Sequence, residues 1–188
     1  MADQALRIHQ FLSHSRVNGP GVRAVLWVQG CSLGCPGCFN PDTHSFDSGE
    51  LVLIDDLLAR LIALQGTIEG LTISGGEPLQ QRLPLLRLLR RVRQETSLTT
   101  LLFSGFTWAE IQQMPDAEAL LAGLDVLIAG RYQASQHLAR DLRGSANKSV
   151  HFLTSRYSLS DLQALPPAEV IITAEGEVMF SGIDPVAW

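Results

Sequence analysis

All three cysteines of this 188-residue chain lie in one short stretch, residues 31–38, where they are spaced C-x3-C-x2-C. Cysteine thiolates placed this close together bind zinc or an iron–sulfur cluster. An odd number of cysteines argues against a disulfide framework, which needs an even set and an oxidising compartment. The stretch therefore predicts a metal centre built by Cys31, Cys35 and Cys38.

The number of cysteines helps to distinguish between an iron–sulfur cluster and a zinc site. Three ligands on a four-iron cubane leave one iron free to bind and activate a small molecule. A structural zinc ion needs a fourth ligand, which His44 could supply six residues after Cys38. Structural zinc ligands usually come as two pairs separated by a longer loop, and a loop rich in glycine and proline is not typical of a core. The spacing favours the cluster and leaves a Cys3His zinc site and inert thiols as alternatives.

Length and composition suit a single domain spanning 1–188, with 46% apolar residues for a core. The net charge of −5 gives no basic surface for nucleic acid. Residues 1–20 lack the apolar run of a secretion signal, and no uncharged apolar run approaches the roughly 20 residues that span a bilayer. We expect a cytoplasmic protein that binds neither nucleic acid nor membrane.

Buried strands and amphipathic helices alternate along the chain. Strands are predicted at 24–29, 70–74, 99–104 and 124–129, and helices begin near Asp55, Pro84 and Thr107. Asp55 is the predicted N-cap of a helix that Gly66 closes, and Thr107 and Glu110 have the spacing of a capping box. Fully apolar strands alternating with helices indicate a parallel sheet covered by helices.

The rest of the chain completes the predicted fold. The polar stretch 131–149 is expected to be a loop over the site. A helix near 159–165, a strand at 169–173 and a hairpin through Glu175-Gly176 are predicted for the tail. The fold class is α/β, a partial (β/α)6-type barrel with a mostly parallel sheet and a C-terminal hairpin.

Residues that could bind a ligand follow the carboxyl ends of four predicted strands. They are the cysteine loop, the Gly75-Gly76-Glu77-Pro78 turn, Ser104-Gly105 and Gly130-Arg131. Ligands of such sheets bind at this edge. The two glycines let backbone approach a ligand closely, and the carboxylate beside them can accept hydrogen bonds from an ammonium group. We therefore expect one site at this edge.

Six segments carry a resemblance to the radical S-adenosylmethionine enzymes, and within them to the activating-enzyme branch that serves glycyl radical enzymes. They are NGPGVR (18–23), CPGCFN (35–40), ISGGEPLQQ (73–81), SGFT (104–107), DVLIAGRY (125–132) and RGSANK (143–148). The branch has DGPGxR, CPGCYN, TGYT, DVLIDGxF and RGSSNQ at the corresponding places. Asn18 and Ala129 each replace an aspartate, and the residues after about 150 go beyond the branch's typical length.

The resemblance implies a [4Fe–4S] cluster held by Cys31, Cys35 and Cys38, with S-adenosylmethionine at the open iron. Glu77 and Gly76 would receive its amino group, the backbone around Gly37 and Phe39 would meet the adenine, and Arg131 with Gly130 would face the methionine carboxylate. The remaining cofactor-binding residues implied by the matched segments are Gly75, Pro78, Ser104 and Asn147.

The implied activity is reductive cleavage of S-adenosylmethionine to a 5′-deoxyadenosyl radical. This radical would install a glycyl radical on a partner such as anaerobic ribonucleotide reductase, with flavodoxin or ferredoxin as electron donor. One alternative is a radical enzyme that modifies a small metabolite or a ribosomal peptide. Another, from a different class, is a zinc-binding interaction module.

One basic feature lies outside these motifs. The predicted helix after residue 80 carries five arginines, at positions 82, 87, 90, 91 and 93. We interpret this helix face as a solvated outer surface, with a docking patch for an acidic partner as the alternative.

Overall fold

A computed structural model of the protein describes residues 4–172 and 176–183. A seven-stranded sheet forms its centre, in the order β3-β1-β2-β4-β5-β6-β9. Its strands are β1 (Ala5–Ser15), β2 (Arg23–Val28), β3 (Glu50–Leu53), β4 (Gly70–Gly75), β5 (Thr99–Ser104), β6 (Val126–Ala129) and β9 (Ser149–Phe152). Two further antiparallel pairs are β7 (His137–Arg140) with β8 (Arg143–Ser145), and β10 (Ala168–Ile172) with β11 (Val178–Gly182).

The centre of the main sheet is parallel. Strands β2, β4, β5 and β6 run side by side in one direction. Their side chains are almost all buried, which explains why these strands are continuous apolar runs. The outer strands β1, β3 and β9 pair antiparallel with their neighbours, and no sequence pattern predicted them. The predicted α/β class with a mostly parallel sheet is confirmed.

The helices are α1 (Ile54–Ala63), α2 (Arg82–Glu95), α3 (Trp108–Gln112), α4 (Ala117–Ala122) and α5 (Leu159–Gln163). The prediction that Asp55 caps α1 is wrong, because β3 runs directly into the helix and Leu53 takes the cap position. Asp55 lies in the first turn, where its charge suits the helix N-terminus. The capping box of Thr107 and Glu110 is confirmed at the start of α3.

Helices α1 and α2 cover the sheet with leucine-rich faces. Leu57, Leu58 and Leu61 of α1 are buried in the same core as Leu85 and Leu88 of α2. This core also takes in the inward side chains of β2 and β4. Packing on this face fixes the ends of the parallel strands, from which the site is built.

Within the segment 18–23, Arg23 has a structural role at the amino-terminal ends of the parallel strands. Arg23 is fully buried and donates hydrogen bonds to Thr72 Oγ1 at 2.8 Å, Thr99 Oγ1 at 2.9 Å and the Leu71 carbonyl at 3.0 Å. A buried guanidinium is stable only with such partners. Asn18 Nδ2 donates to Ser181 Oγ at 2.6 Å, which attaches β11 to this segment.

The stretch 131–149 is more ordered than the predicted loop. It holds the β7–β8 pair, whose turn places Asp141 and Leu142 at positive φ, and it ends where β9 begins. In the tail, the predicted helix ends two residues early at Gln163, and the hairpin is confirmed as β10 paired with β11. Residue 173, Glu175 of the predicted turn and residues 184–188 lie outside the described residues.

In the part of the chain that the structure describes, none of the helices has the length and apolar character that a membrane span requires.

Candidate active site at the carboxyl edge of the sheet

The three cysteines line one cavity of about 150 Å³ at the carboxyl ends of the parallel strands. The cavity is also lined by the predicted site residues Phe39, Gly75, Gly76, Glu77 and Ser104, together with Gly105. Segments after β2, β4 and β5 thus meet as the sequence indicated. Gly37, Pro78, Gly130, Arg131 and Asn147 lie beside the cavity without lining it, as far as the described residues show.

The cysteine loop is shaped by two glycines. Gly34 and Gly37 have φ of 61° and 71°, a left-handed conformation that glycine adopts without strain. The Cys38 amide donates to the Cys35 carbonyl at 3.2 Å, which closes the turn between the second and third thiols. All three cysteines are free and half-buried. The loop therefore presents three accessible thiols to one cavity.

Among residues 4–172 and 176–183, no three His, Cys, Asp or Glu side chains form a group that could hold one metal ion. His44 lines the cavity, but it completes no such group. Burial raises the pKa of the Cys31 thiol, and the nearby Glu77 charge raises it further. A metal centre bound here would supply the positive charge that favours the thiolate form.

Glu77 is the buried carboxylate of the site. Its Oε1 accepts from the Leu79 amide and from Ser104 Oγ, both at 2.9 Å, and its Oε2 accepts from the Gly105 amide at 2.7 Å. Glu77 therefore ties the turn after β4 to the end of β5. Burial raises its pKa, against the lowering effect of these bonds and of Lys148. Oε2 accepts one hydrogen bond from the described residues, so it can accept another.

Only glycine fits the two positions before this carboxylate. A Cβ at Gly75, where φ is 98°, would lie 2.5 Å from the Val28 carbonyl oxygen. A Cβ at Gly76 would collide with the Gly30 carbonyl. The Glu77 amide donates to that same carbonyl at 2.9 Å, so the glycines join the turn directly to the start of the cysteine loop.

Arg131 is held by another carboxylate. Its Nη1 donates to Glu110 Oε2 at 2.6 Å, and its guanidinium lies 5.5 Å from the Phe106 ring centroid. Hydrogen bonds from Arg131 and from Thr107 hold the pKa of Glu110 at about 2. The guanidinium that the sequence assigned to the cavity is thus part of the cap of α3.

Lys148 is the cation that lines the cavity, and sequence analysis missed it. It is the sole Lys or Arg among the lining residues in the described part of the chain. Its ammonium donates to the Gly130 carbonyl, which leaves two further N–H donors. Burial lowers its pKa, and the neighbouring Cys35, Glu77 and Cys38 raise it. The sequence feature that could have indicated Lys148 is its position at the end of RGSANK, where the similar segment of the activating-enzyme branch, RGSSNQ, has glutamine.

An aromatic wall closes one side of the cavity. The Phe39 and Tyr132 rings lie 4.5 Å apart, and both line it. A Cβ at Gly144 would meet the Phe39 ring at 2.5 Å, so glycine is needed there. Asn147 donates from Nδ2 to the Arg131 carbonyl at 2.8 Å and thereby shapes the segment leading to Lys148.

Three thiols at the carboxyl edge of an α/β sheet suit an iron–sulfur cluster, and residues 17–151 match the family model described as a 4Fe-4S single cluster domain. The anaerobic ribonucleoside-triphosphate reductase-activating protein of Vibrio cholerae is 35% identical over 156 residues, which cover 79% of this chain and 99% of that protein. The chain belongs to this family of activating proteins, a branch of the radical S-adenosylmethionine enzymes. Its cofactors are those predicted, a [4Fe–4S] cluster and S-adenosylmethionine.

Other relatives agree. The activating protein of Haemophilus influenzae is 35% identical over 76% of this chain and 95% of its own length, and that of Enterobacteria phage T4 is 33% identical over 71% and 86%. A crystal structure of QueE from Escherichia coli aligns with a TM-score of 0.47 and 18% identity, over 55% of this chain and 54% of that one. The family assignment rests on the sequence relatives.

Proposed function

We propose that this protein uses S-adenosylmethionine to install a glycyl radical on a partner enzyme, an anaerobic ribonucleotide reductase. The observation that carries the proposal is the cavity in which three free thiols meet a buried carboxylate and one lysine. Near-full-length relatives named activating proteins support the choice of partner. When bound, the cluster supplies one electron that cleaves S-adenosylmethionine to methionine and the 5′-deoxyadenosyl radical.

In this proposal Cys31, Cys35 and Cys38 hold the cluster. Three thiolates would bind three irons and leave the fourth iron without a protein ligand, open to S-adenosylmethionine. The assignment is supported by the position of the three thiols, which are free and line the same cavity.

Glu77 and Lys148 would orient the amino-acid end of the ligand. The ammonium group needs a buried acceptor, and Oε2 of Glu77 has one position left. The carboxylate needs a cation, and Lys148 is the Lys or Arg that lines the cavity in the described residues. A zwitterion held at both charges has one orientation. We therefore assign to Lys148 the role that the sequence suggested for Arg131.

The aromatic wall of Phe39 and Tyr132 would cover the adenine end. The two rings present apolar area beside the cysteine loop, and Gly37 gives the backbone there its turn. Excluding water matters, because a deoxyadenosyl radical abstracts hydrogen from whatever reaches it. The partner's glycine loop would complete the enclosure.

The glycyl radical itself is the direct test. The reconstituted protein, S-adenosylmethionine and a strong reductant are incubated without oxygen with an anaerobic ribonucleotide reductase from the same cell. We expect a stable doublet in the electron paramagnetic resonance spectrum of the reductase. The signal should disappear when the acceptor glycine is replaced by alanine. S-adenosylmethionine cleavage with no such signal, but with turnover of a small molecule or peptide, would favour the alternative radical enzyme.

The role of Lys148 is testable with a matched pair of ligands. Lys148→Gln is expected to raise the Kd for S-adenosylmethionine about tenfold, which corresponds to roughly 1.4 kcal/mol. It should leave the Kd for decarboxylated S-adenosylmethionine unchanged, because that analogue lacks the group that Lys148 would bind. Equilibrium dialysis under nitrogen measures both constants.

Arg131→Gln is the matched control for this pair and should change neither constant, since Arg131 is bound to Glu110. An equal loss of affinity for both ligands in Lys148→Gln would show that the lysine shapes the cavity without binding the carboxylate.

A further inference from the structure

A second concave surface lies beside the cysteine loop, outside the cavity. We name it the Phe46 groove; it measures about 700 Å³, and its walls are Ala5, Arg7, Gln29, Phe46, Leu51, Gln80, Gln81, Arg82, Leu83 and Pro84. It shares no lining residue with the cavity in the described part of the chain. A protein bound in the groove and one bound over the cavity would therefore contact different residues.

The centre of the groove is apolar and open to solvent. Phe46, Leu51 and Leu83 are 52%, 62% and 54% exposed, although apolar side chains of this size are usually buried. Three such residues around one groove make a clustered apolar surface, which is typical of a protein-binding site.

The rim of the groove is basic, in a chain whose net charge is −5. Arg7 and Arg82 lie in its walls, and no carboxylate does among the described residues. The Nε atom of Arg82 is buried and lacks a hydrogen-bond partner in the described part of the molecule. Leu83 also borders a second hollow, whose walls include Arg90. An acidic protein with an apolar contact area would complement this surface.

The groove reaches the residues on both sides of Cys31. The Phe46 ring packs against Gly30 so closely that a Cβ there would lie 2.7 Å from it. Gln80 donates from Nε2 to Ser32 Oγ at 2.6 Å and accepts from the Ser32 amide at 3.1 Å. Gly30 and Ser32 are the neighbours of Cys31 in the chain, so the groove wall is one residue away from a proposed cluster ligand.

From these contacts we infer that the Phe46 groove is the docking surface for an acidic one-electron carrier protein, with a reduced flavin or iron–sulfur group. The inference rests on the proposed function, which consumes one electron for each S-adenosylmethionine cleaved. The carrier is oxidised by one electron and the cluster is reduced by one. Because the partner's glycine loop would cover the cavity, the electron would enter from the groove, whose wall contacts Gly30 and Ser32.

The test compares two reductants on the reconstituted protein in a stopped-flow spectrometer. Arg82→Glu with Arg90→Glu is expected to slow cluster reduction by a reduced flavodoxin at least about tenfold at low salt, where charges act over about 10 Å or more. Reduction by dithionite in high salt should keep the parent rate. Leu83→Ser, which leaves the charge unchanged, should also slow flavodoxin and spare dithionite.

Arg16→Glu is the matched control. Arg16 is exposed and comes directly after the last residue of β1, whereas Arg7 of the groove lies near the start of that strand. It should leave both rates unchanged. Parent rates with flavodoxin in both groove variants would overturn the inference. The inference would also be overturned if the groove variants lost binding to ribonucleotide reductase, or if they converted a dimer of this protein to monomers. In either case the groove would bind a different partner. The proposed function is tested separately: if it is wrong, the parent protein will not cleave S-adenosylmethionine even when dithionite supplies the electron.

Discussion

Replacing Cys35 with alanine is expected to lower the iron content of the anaerobically reconstituted protein from about four atoms per chain to almost none. Two remaining thiolates cannot hold a cubane, and the loop that carries them has no other protein ligand in the predicted set. Brown colour and S-adenosylmethionine cleavage should be lost together. Iron and acid-labile sulfide analysis measures the first effect, and release of 5′-deoxyadenosine measures the second.

Two variants of neighbouring residues serve as controls for Cys35→Ala. Ser32→Ala changes the same loop, outside the proposed ligand set, and should keep the iron. His44→Ala removes the fourth ligand that a zinc site would need, and it should keep the iron as well. A parent protein that binds one zinc, refuses iron and loses its metal in both Cys35→Ala and His44→Ala would establish the Cys3His alternative instead.

The parallel strands could be predicted from the sequence, whereas the antiparallel strands of the main sheet could not. Strands buried on both faces are continuous apolar runs, so residues 70–74 and 99–104 were found almost to their ends. Strand β1 alternates irregularly and has exposed positions such as His9, and β9 is only four residues long. Their position depends on pairing with distant segments, and local patterns do not encode it.

The site was predictable to the level of strands and loops, because parallel strands bring their carboxyl ends to one edge. The proposed role of Lys148 in place of Arg131 could not be predicted in this way. Arg131 follows β6 directly, but Glu110 at the start of α3 binds its guanidinium. Lys148 is seventeen positions further along and reaches the cavity because β9 returns antiparallel beside β6. Such a choice depends on which side chains meet in space.

Glu77→Gln is expected to raise the Kd for S-adenosylmethionine about tenfold to a hundredfold, since a hydrogen bond to a charged group contributes roughly 1.5–3 kcal/mol. Glutamine keeps the shape and removes the charge that the ligand ammonium would meet. Its amide nitrogen would also face the Gly105 amide, where the carboxylate now accepts a hydrogen bond. Ser104→Ala removes one bond to Glu77 and leaves the charge, so its affinity loss should be smaller.

The pH dependence separates ligand binding from structural support. Burial raises the pKa of Glu77 above its ordinary value of 4.5, so the folded apo protein binds this proton more tightly than the unfolded chain does. Its contribution to the stability of the apo protein is therefore present at low pH and is lost as pH rises through the raised pKa. The ligand ammonium requires the charged carboxylate, so the Kd for S-adenosylmethionine should instead rise as pH falls through that pKa.

Glu77→Gln should remove both of these dependences, and comparing it with the parent isolates Glu77 from the other carboxyl groups. The two readouts are the midpoint of chemical unfolding without ligand and the Kd by equilibrium dialysis, each measured across the acid range. If the Kd of the parent follows the same pH trend as the Kd of Glu77→Gln, the ammonium group does not bind at Glu77. The carboxylate would then serve only to join the β4 turn to Ser104 and Gly105.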